Sequence, residues 1–425
     1  MRSHLVAMAV VAAVLVAAQA RAEFRFPMPE FESDYQYPPM NTPPTSKIPV
    51  PIDISVLTVA LGLTSFAVLR MRSRRMVFVL SVASLIYFGF YRHGCVCPVG
   101  SVQNVFEMLV GRAPGLPMVV AVFFLLPLVF ALYFGRVFCA AVCPLGAAQE
   151  MCAIHPVQVP RSVESVLGIL PYAYLGLAAL AIATGSGYLI CRYDPFVGFF
   201  RRGASFPMLL TGGALLLLGI FIARPYCRYL CPYGVLLRWA SRFSKWHASV
   251  TPAECTQCRL CEDACPYGAI VYPTPANAPL SRKEGARRLG VLLAVTPLII
   301  AAGALAGYGF SEPLARMHPT VWLAERLGVE ETGRAADGSP IELSLEVDAF
   351  KAGQKTADEL YAEAGAAAKQ FKPLAALFGA FLGLVVSGRL ARLSVLRRRK
   401  DYEADRAACL SCARCFKYCP VEKKS

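Results

Sequence analysis

Sixteen cysteines stand in this 425-residue chain, and most of them fall into spaced runs. Two runs share the spacing C-x2-C-x2-C-x3-C-P: Cys255, Cys258, Cys261, Cys265-Pro266 and Cys409, Cys412, Cys415, Cys419-Pro420. In such a run three closely spaced thiolates wrap one face of an iron–sulfur cube, while the fourth, held before proline, serves a second cube. The spacing therefore predicts two [4Fe–4S] clusters with crossed ligands. Cluster one would take Cys255, Cys258, Cys261 and Cys419; cluster two would take Cys409, Cys412, Cys415 and Cys265. The competing readings are a zinc knuckle and disulfides. Zinc sites seldom use a four-cysteine run ending in proline, and disulfides are disfavoured in the cytoplasm, where the charge pattern below places both runs.

A second pattern is an internal repeat. Gly135-Arg-Val-Phe-Cys139-Ala-Ala-Val-Cys143-Pro-Leu-Gly146 and Ala223-Arg-Pro-Tyr-Cys227-Arg-Tyr-Leu-Cys231-Pro-Tyr-Gly234 align without gaps. The i,i+4 spacing puts both thiols of a pair on one helix face. Pro144 and Pro232 suit the first turn of a helix lying along the membrane, over 147–154 and 235–243. Cys139, Cys143, Cys227 and Cys231 together suit one further iron–sulfur cluster, a copper site or two redox-active dithiols. The bland alternative is that small cysteines merely pack helix ends. A third relative, Arg92-His93-Gly94-Cys95-Val-Cys97-Pro98-Val-Gly100, joins Cys191 of Cys191-Arg-Tyr-Asp194-Pro-Phe196 as an outer thiol site of Cys95, Cys97 and Cys191, with His93 as a nitrogen ligand. A disulfide plus one free thiol is its alternative. Cys152, alone in an apolar stretch, is expected to pack.

A membrane must position these thiols. The chain is 56% hydrophobic and only 17% charged, which disfavours a soluble enzyme core, intrinsic disorder and a secreted disulfide scaffold. Residues 1–22, with Arg2 ahead of an apolar run and a small-residue cleavage site, read as a signal peptide; 23–51 read as an extended periplasmic leader. Apolar stretches at 52–69, 76–91, 117–134, 166–190, 207–223, 289–308 and 373–393 are each about long enough to cross as helices, giving about seven spans. With the mature amino terminus outside, the basic loops at 70–75 and 224–288 and the tail from Arg397 lie inside, and the acid-rich loop 309–371 lies outside. Both ferredoxin runs then return to the cytoplasmic face. The formal net charge of +15 is thus topogenic, and no nucleic-acid partner is needed.

The expected fold is a mainly α polytopic helix bundle carrying a cytoplasmic two-[4Fe–4S] ferredoxin-like module, split between an inner loop and the carboxyl terminus. Its parts are a five-span core (52–245) with the Cys-Pro motifs, a first ferredoxin half (250–285), span six (289–308), a periplasmic loop (309–371), span seven (373–393) and a second ferredoxin half (400–425). The acidic loop is expected to be either a docking surface for a basic partner or a helical cap.

The ordered combination of twin Cys-x3-Cys-Pro motifs and a split eight-cysteine ferredoxin module resembles the NosR/NirI group of membrane iron–sulfur proteins. NapH-type quinol dehydrogenases share the narrower core. The resemblance runs from about residue 52 to the end and includes Cys95-Val-Cys97-Pro98, Cys191-Arg-Tyr-Asp-Pro-Phe196, Phe310-Ser-Glu-Pro313, His318-Pro-Thr-Val321 and Glu359-Leu-Tyr361. Members of the NosR type carry a periplasmic domain with covalent flavin ahead of the spans. About thirty residues precede span one here and no Ser/Thr-Gly-Ala-Thr motif is found, so FMN is not expected within this chain. The resemblance implies a quinol-dehydrogenase-like redox component of the bacterial inner membrane. It would link the quinone pool or cytoplasmic donors to a periplasmic reductase system of the nitrous-oxide-reductase type, through a separate flavoprotein. Inner clusters and outer thiols lie on opposite faces of a bilayer ~30 Å thick, so a carrier such as quinone is expected between them. A reading from another class is a copper-reducing or copper-handling maturation factor, since thiol pairs suit Cu(I). No hydrolase triad, phosphate loop or dinucleotide fingerprint stands out.

Overall fold

The computed structural model describes residues 50–94, 98–201, 203–250, 255–274, 282–332, 345–353, 355–394, 399 and 401–420. The signal peptide, nearly all of the leader, and Cys95 and Cys97 lie outside the described residues. The longer helices are α1 (Val50–Leu69), α2 (Arg74–Ser84), α3 (Pro98–Leu109), α4 (Met118–Phe134), α5 (Pro144–Cys152), α6 (Leu170–Thr184), α7 (Phe206–Phe221), α8 (Pro232–Arg242), α9 (Arg282–Gly309), α10 (Pro319–Thr332) and α11 (Ala357–Ser394). Two short strands, β1 (Ile270–Val271) and β2 (Glu403–Ala404), pair antiparallel, with Ile270 opposite Ala404.

Among the described residues, five helical stretches are long and apolar enough to cross a membrane: 51–69, 74–91, 162–184, 284–309 and 357–394. The apolar helices at 118–134 and 206–221 are shorter. In hydrocarbon every backbone group must be paired within its own segment, which is why such sequence closes into helices. α2 continues into a π-helical turn, Leu85–Tyr91, just before the Cys95-Val-Cys97 segment. A second π-turn, Phe138–Val142, carries Cys139.

α9 packs along α11 by glycine contact. A Cβ at Gly307 would collide with the Ala375 carbonyl, and one at Gly379 with the Gly303 carbonyl, so these small residues bring the two backbones into contact. α11 departs from expectation at its start. It begins at Ala357, sixteen residues before the apolar stretch, because Ala, Glu and Lys in 357–372 are strong helix formers that outweigh the single Gly365. α10 and the short helix Leu345–Lys351 pack on this extension around Ala324, Leu327, Val347, Leu360 and Ala364. The acidic segment is therefore a helical cap in its described part, with Glu330 paired to Lys351 at 2.7 Å.

α5 also differs from the surface helix expected after Cys143. Pro144, Leu145, Gly146, Ala147, Gln149 and Glu150 are all buried, because the ferredoxin halves cover this helix. One continuous apolar core runs from Leu57 and Phe123 through Cys139, Cys143 and Cys227 to Cys265, Tyr267 and Leu410. The iron–sulfur halves are thus packed onto the helix bundle rather than tethered to it.

Candidate functional site

The two ferredoxin halves are joined by the β1–β2 ribbon and by flanking bonds, Asp405 N–H to the Ala269 carbonyl at 2.8 Å and Thr274 N–H to the Arg399 carbonyl at 3.0 Å. This pairing builds two cavities. One, of about 370 Å³, is lined by Cys255, Cys258, Cys261 and Cys419. The other, of about 410 Å³, is lined by Cys409, Cys412, Cys415 and Cys265. Each collects three cysteines from one run and the fourth from the other. Matching positions of the two runs hold left-handed backbone: Gln257 and Arg259 (φ 53° and 63°) against Ser411 and Ala413 (φ 54° and 60°). For non-glycine residues that conformation is unfavourable, and it turns successive N–H groups inward as an anion-binding nest. Ser411 N–H already points at the Cys409 sulfur at 3.4 Å. The cysteines and the nests fit a cubane cluster.

The Cys-x3-Cys-Pro pairs belong to the same apolar core as the cysteines of the second cavity. Cys143 and Cys231 sit at the N-terminal caps of α5 and α8 in the same extended conformation, φ −74°, ψ 118° and φ −65°, ψ 111°. Their N–H groups donate to the equivalent carbonyls of Phe138 and Tyr226, each at 2.9 Å. Arginines cross between the repeats. Arg224 donates to the Cys139 and Ala140 carbonyls, and a Cβ on Gly146 would lie 3.2 Å from its guanidinium. Arg136 reaches the Cys139 sulfur at 3.8 Å, and a Cβ on Gly234 would lie 3.7 Å from it. The repeat is therefore a local pseudo-twofold, in which the glycine of each Cys-Pro-x-Gly admits the other half's arginine. Gln149 completes the site by donating to the Cys227 sulfur at 3.2 Å.

Burial pushes the Cys227 thiol up to about 12, and burial likewise raises Cys409 to about 12. Such thiols ionise only against a bound metal centre, and releasing their protons is part of binding one. Arg136 Nε is buried with no partner among the described residues, while its Nη2 reaches the Cys139 sulfur. These donors to sulfur fit an anionic thiolate-ligated centre here.

Sequence reasoning missed the residue that locks these parts together. Glu150, on α5, accepts from Arg224 at 2.8 Å and from Arg414 at 2.6 Å, and is also paired with Arg74. The Tyr267 hydroxyl donates to it at 3.1 Å. Tyr267 belongs to the first ferredoxin half and Arg414 to the second, so one carboxylate ties both halves to the bundle. Burial opposes its ionisation, but the surrounding guanidinium groups of Arg224, Arg414 and Arg74 outweigh burial and hold the carboxyl well below its usual range. The available signal was an acid inside an apolar run after a Cys-Pro motif, which marks a site by default.

At the other end, Cys191 is half-buried, and a Cβ on Gly100 would lie 3.1 Å from its sulfur. His93 is exposed, at φ 50°. The 189–201 connection forms two short helices, Leu189–Tyr193 and Pro195–Arg201, and its Asp194 accepts a hydrogen bond from Tyr226, next to Cys227. Cys152 packs against Gly219 of α7, as expected.

A family model described as a 4Fe-4S binding domain matches residues 76–117, 116–156 and 204–250, and a second 4Fe-4S binding domain model matches 248–271. The first falls on all three Cys-Pro segments. The protein NirI of Paracoccus denitrificans is 30% identical over 28% of this chain, covering 18% of NirI. Over that stretch the chain is weakly similar to a NosR/NirI-type iron–sulfur protein. An uncharacterized protein, MJ0749, of Methanocaldococcus jannaschii is 32% identical over 25% of this chain and 38% of its own length. The putative electron transport protein YccM of Escherichia coli is 32% identical over 19% of this chain and 22% of its own length. The chain thus spans well under half the length of each of these relatives. No solved structure matches.

Proposed function

We propose that this chain is a membrane-bound iron–sulfur electron carrier that passes electrons between the quinone pool or cytoplasmic donors and a periplasmic reductase system, through a separate flavoprotein. The observation that carries the reading is the packing of the two four-cysteine cavities and the paired Cys139/Cys143 and Cys227/Cys231 motifs into one core, with Glu150 clamping them together. In this reading Cys255, Cys258, Cys261 and Cys419 hold one [4Fe–4S] cluster, and Cys409, Cys412, Cys415 and Cys265 the other. Cys139, Cys143, Cys227 and Cys231 hold a further centre, and the outer thiols are Cys95, Cys97 and Cys191. Bound there, such clusters supply one-electron transfer.

The chain's own part is to hold thiolates, to balance their charge with Arg136 and Arg224, and to exclude water by burial. About seven spans, with the ferredoxin module on the cytoplasmic side of the inner membrane, complete the arrangement. The likeness to a putative electron transport protein supports it, and the nests of left-handed backbone favour clusters over copper handling. The test is anaerobic purification with iron, sulfide, copper and flavin analysis, EPR and a quinol-oxidation assay. About eight irons from the ferredoxin module, plus an excess from the Cys-Pro pairs, are expected; stoichiometric copper with no quinol oxidation would overturn the reading.

A further inference from the structure

The glycine contacts between α9 and α11 set Gly307 against Ala375 and Gly303 against Gly379. The same antiparallel register carries Arg288 to the level of Ser394, the last residue of α11. At this foot of the pair lies an open cleft of about 900 Å³, lined by Glu284, Arg287, Arg288, Val291 and Leu292 of α9 and by Ser394. The α9 residues fall at i, i+3, i+4, i+7 and i+8, so they share one helical face. That face is charged at its start and apolar beyond. The change comes where the apolar stretch 284–309 begins, which is the level at which headgroups give way to hydrocarbon.

Arg287 and Arg288 are exposed, and among the described residues no ion pair engages them. Glu284 is the only acid lining the cleft, so the cleft is net positive. Beyond the arginines Val291 is 56% exposed and Leu293 58%, and no residue in the most apolar stretch of α9 is buried. A ligand matched to this face has a negative head and a long apolar body. Quinone, with an uncharged head, leaves the guanidinium groups unused. Free phosphate leaves the apolar turns bare.

We propose that this cleft binds an anionic phospholipid, its phosphate held by Arg287, Arg288 and the Ser394 hydroxyl and its acyl chains lying along the bare face of α9. Basic pockets between membrane helices take anionic headgroups in this way, and each arginine near the surface adds to the attraction. The net charge of the cleft selects a net-negative head over a zwitterionic one. The site lies where α11 ends and the chain runs on to β2 in the second ferredoxin half. It uses none of the cysteines, so it stands or falls apart from the iron–sulfur reading.

The test uses the full-length protein in a neutral detergent, titrated with phosphatidylglycerol, phosphatidylcholine or glycerol phosphate and read by native mass spectrometry. Phosphatidylglycerol should bind at least about tenfold tighter than phosphatidylcholine, and glycerol phosphate should not bind. Arg287→Gln combined with Arg288→Gln should lose that preference while the iron bound per chain stays at the parental value. The control is Arg70→Gln combined with Arg75→Gln, which removes two exposed arginines from a loop that also meets the second ferredoxin half, through Arg72 over the Phe416 ring. It should keep the preference. Equal binding of the two lipids by the parent would overturn the proposal. So would an equal loss in both double variants, which reports the general field of a basic face rather than a site, and so would tight binding of glycerol phosphate. Should the double variant at 287 and 288 not assemble, Arg287→Gln and Arg288→Gln are each read alone for the same loss.

Discussion

Cys265 and Glu150 carry the sharpest claims at the scale of single residues. Cys265→Ser should perturb the cluster held mainly by Cys409, Cys412 and Cys415, whose cavity it lines, and leave the one held by its own neighbours largely intact. Cys419→Ser should do the reverse. EPR of each, compared with a chain truncated after Lys400, checks this; loss of the local cluster in Cys265→Ser would mean that each run ligates its own. Glu150→Gln leaves Arg224, which is fully buried, without its counter-charge, and breaking a buried pair in this way costs about 3–5 kcal/mol. A lower melting temperature in detergent and easier release of the ferredoxin module from the bundle are the expected readouts. The folded pKa of Glu150 is depressed from the usual 4.5, so its stabilisation is fully present above about pH 4.5 and is lost as pH falls below it. Melting between pH 6 and 8 should therefore show no pH dependence from Glu150, while acid should release the module; an acid-insensitive parent would contradict the role.

Among the elements, the α9–α11 pair does the most with the least chemistry. Its glycines put backbone against backbone, so Gly379→Leu must push the helices apart, and packing losses of this kind cost at least about 1–3 kcal/mol. α11 leads into the second ferredoxin half, which supplies four of the eight ferredoxin cysteines. Displacing it should lower the iron bound per chain as well as the melting temperature, although no ligand has been touched. Gly365→Leu, at a position with nothing within 4 Å, is the control expected to change neither. Equal iron in both variants would show that the helix pair does not set the position of the tail.

For the whole molecule, the alternation of basic and acidic segments predicts an outside amino terminus and an inside carboxyl end. Reporter fusions at Gly353 and Ser425 should be active only with a periplasm-dependent reporter at the first and only with a cytoplasm-dependent one at the second. Periplasmic activity at Ser425 would separate the second half from the first, against the β1–β2 pairing that joins them.

Apolar runs and cysteine spacing determined the helical membrane architecture and the iron–sulfur chemistry, because hydropathy and ligand spacing are local properties that survive any arrangement of the chain. The same locality hid the rest. Glu150 reads as an isolated acid until Arg74, Arg224, Tyr267 and Arg414, which lie far apart in the chain, converge on it. That the backbone of Asp194 matches that of Cys143 and Cys231 is likewise visible only in the structure. The two short helices of 189–201 and the extension of α11 to Ala357 were decided only by packing: hydropathy marks where a helix is apolar, not where it ends or what it turns back to touch.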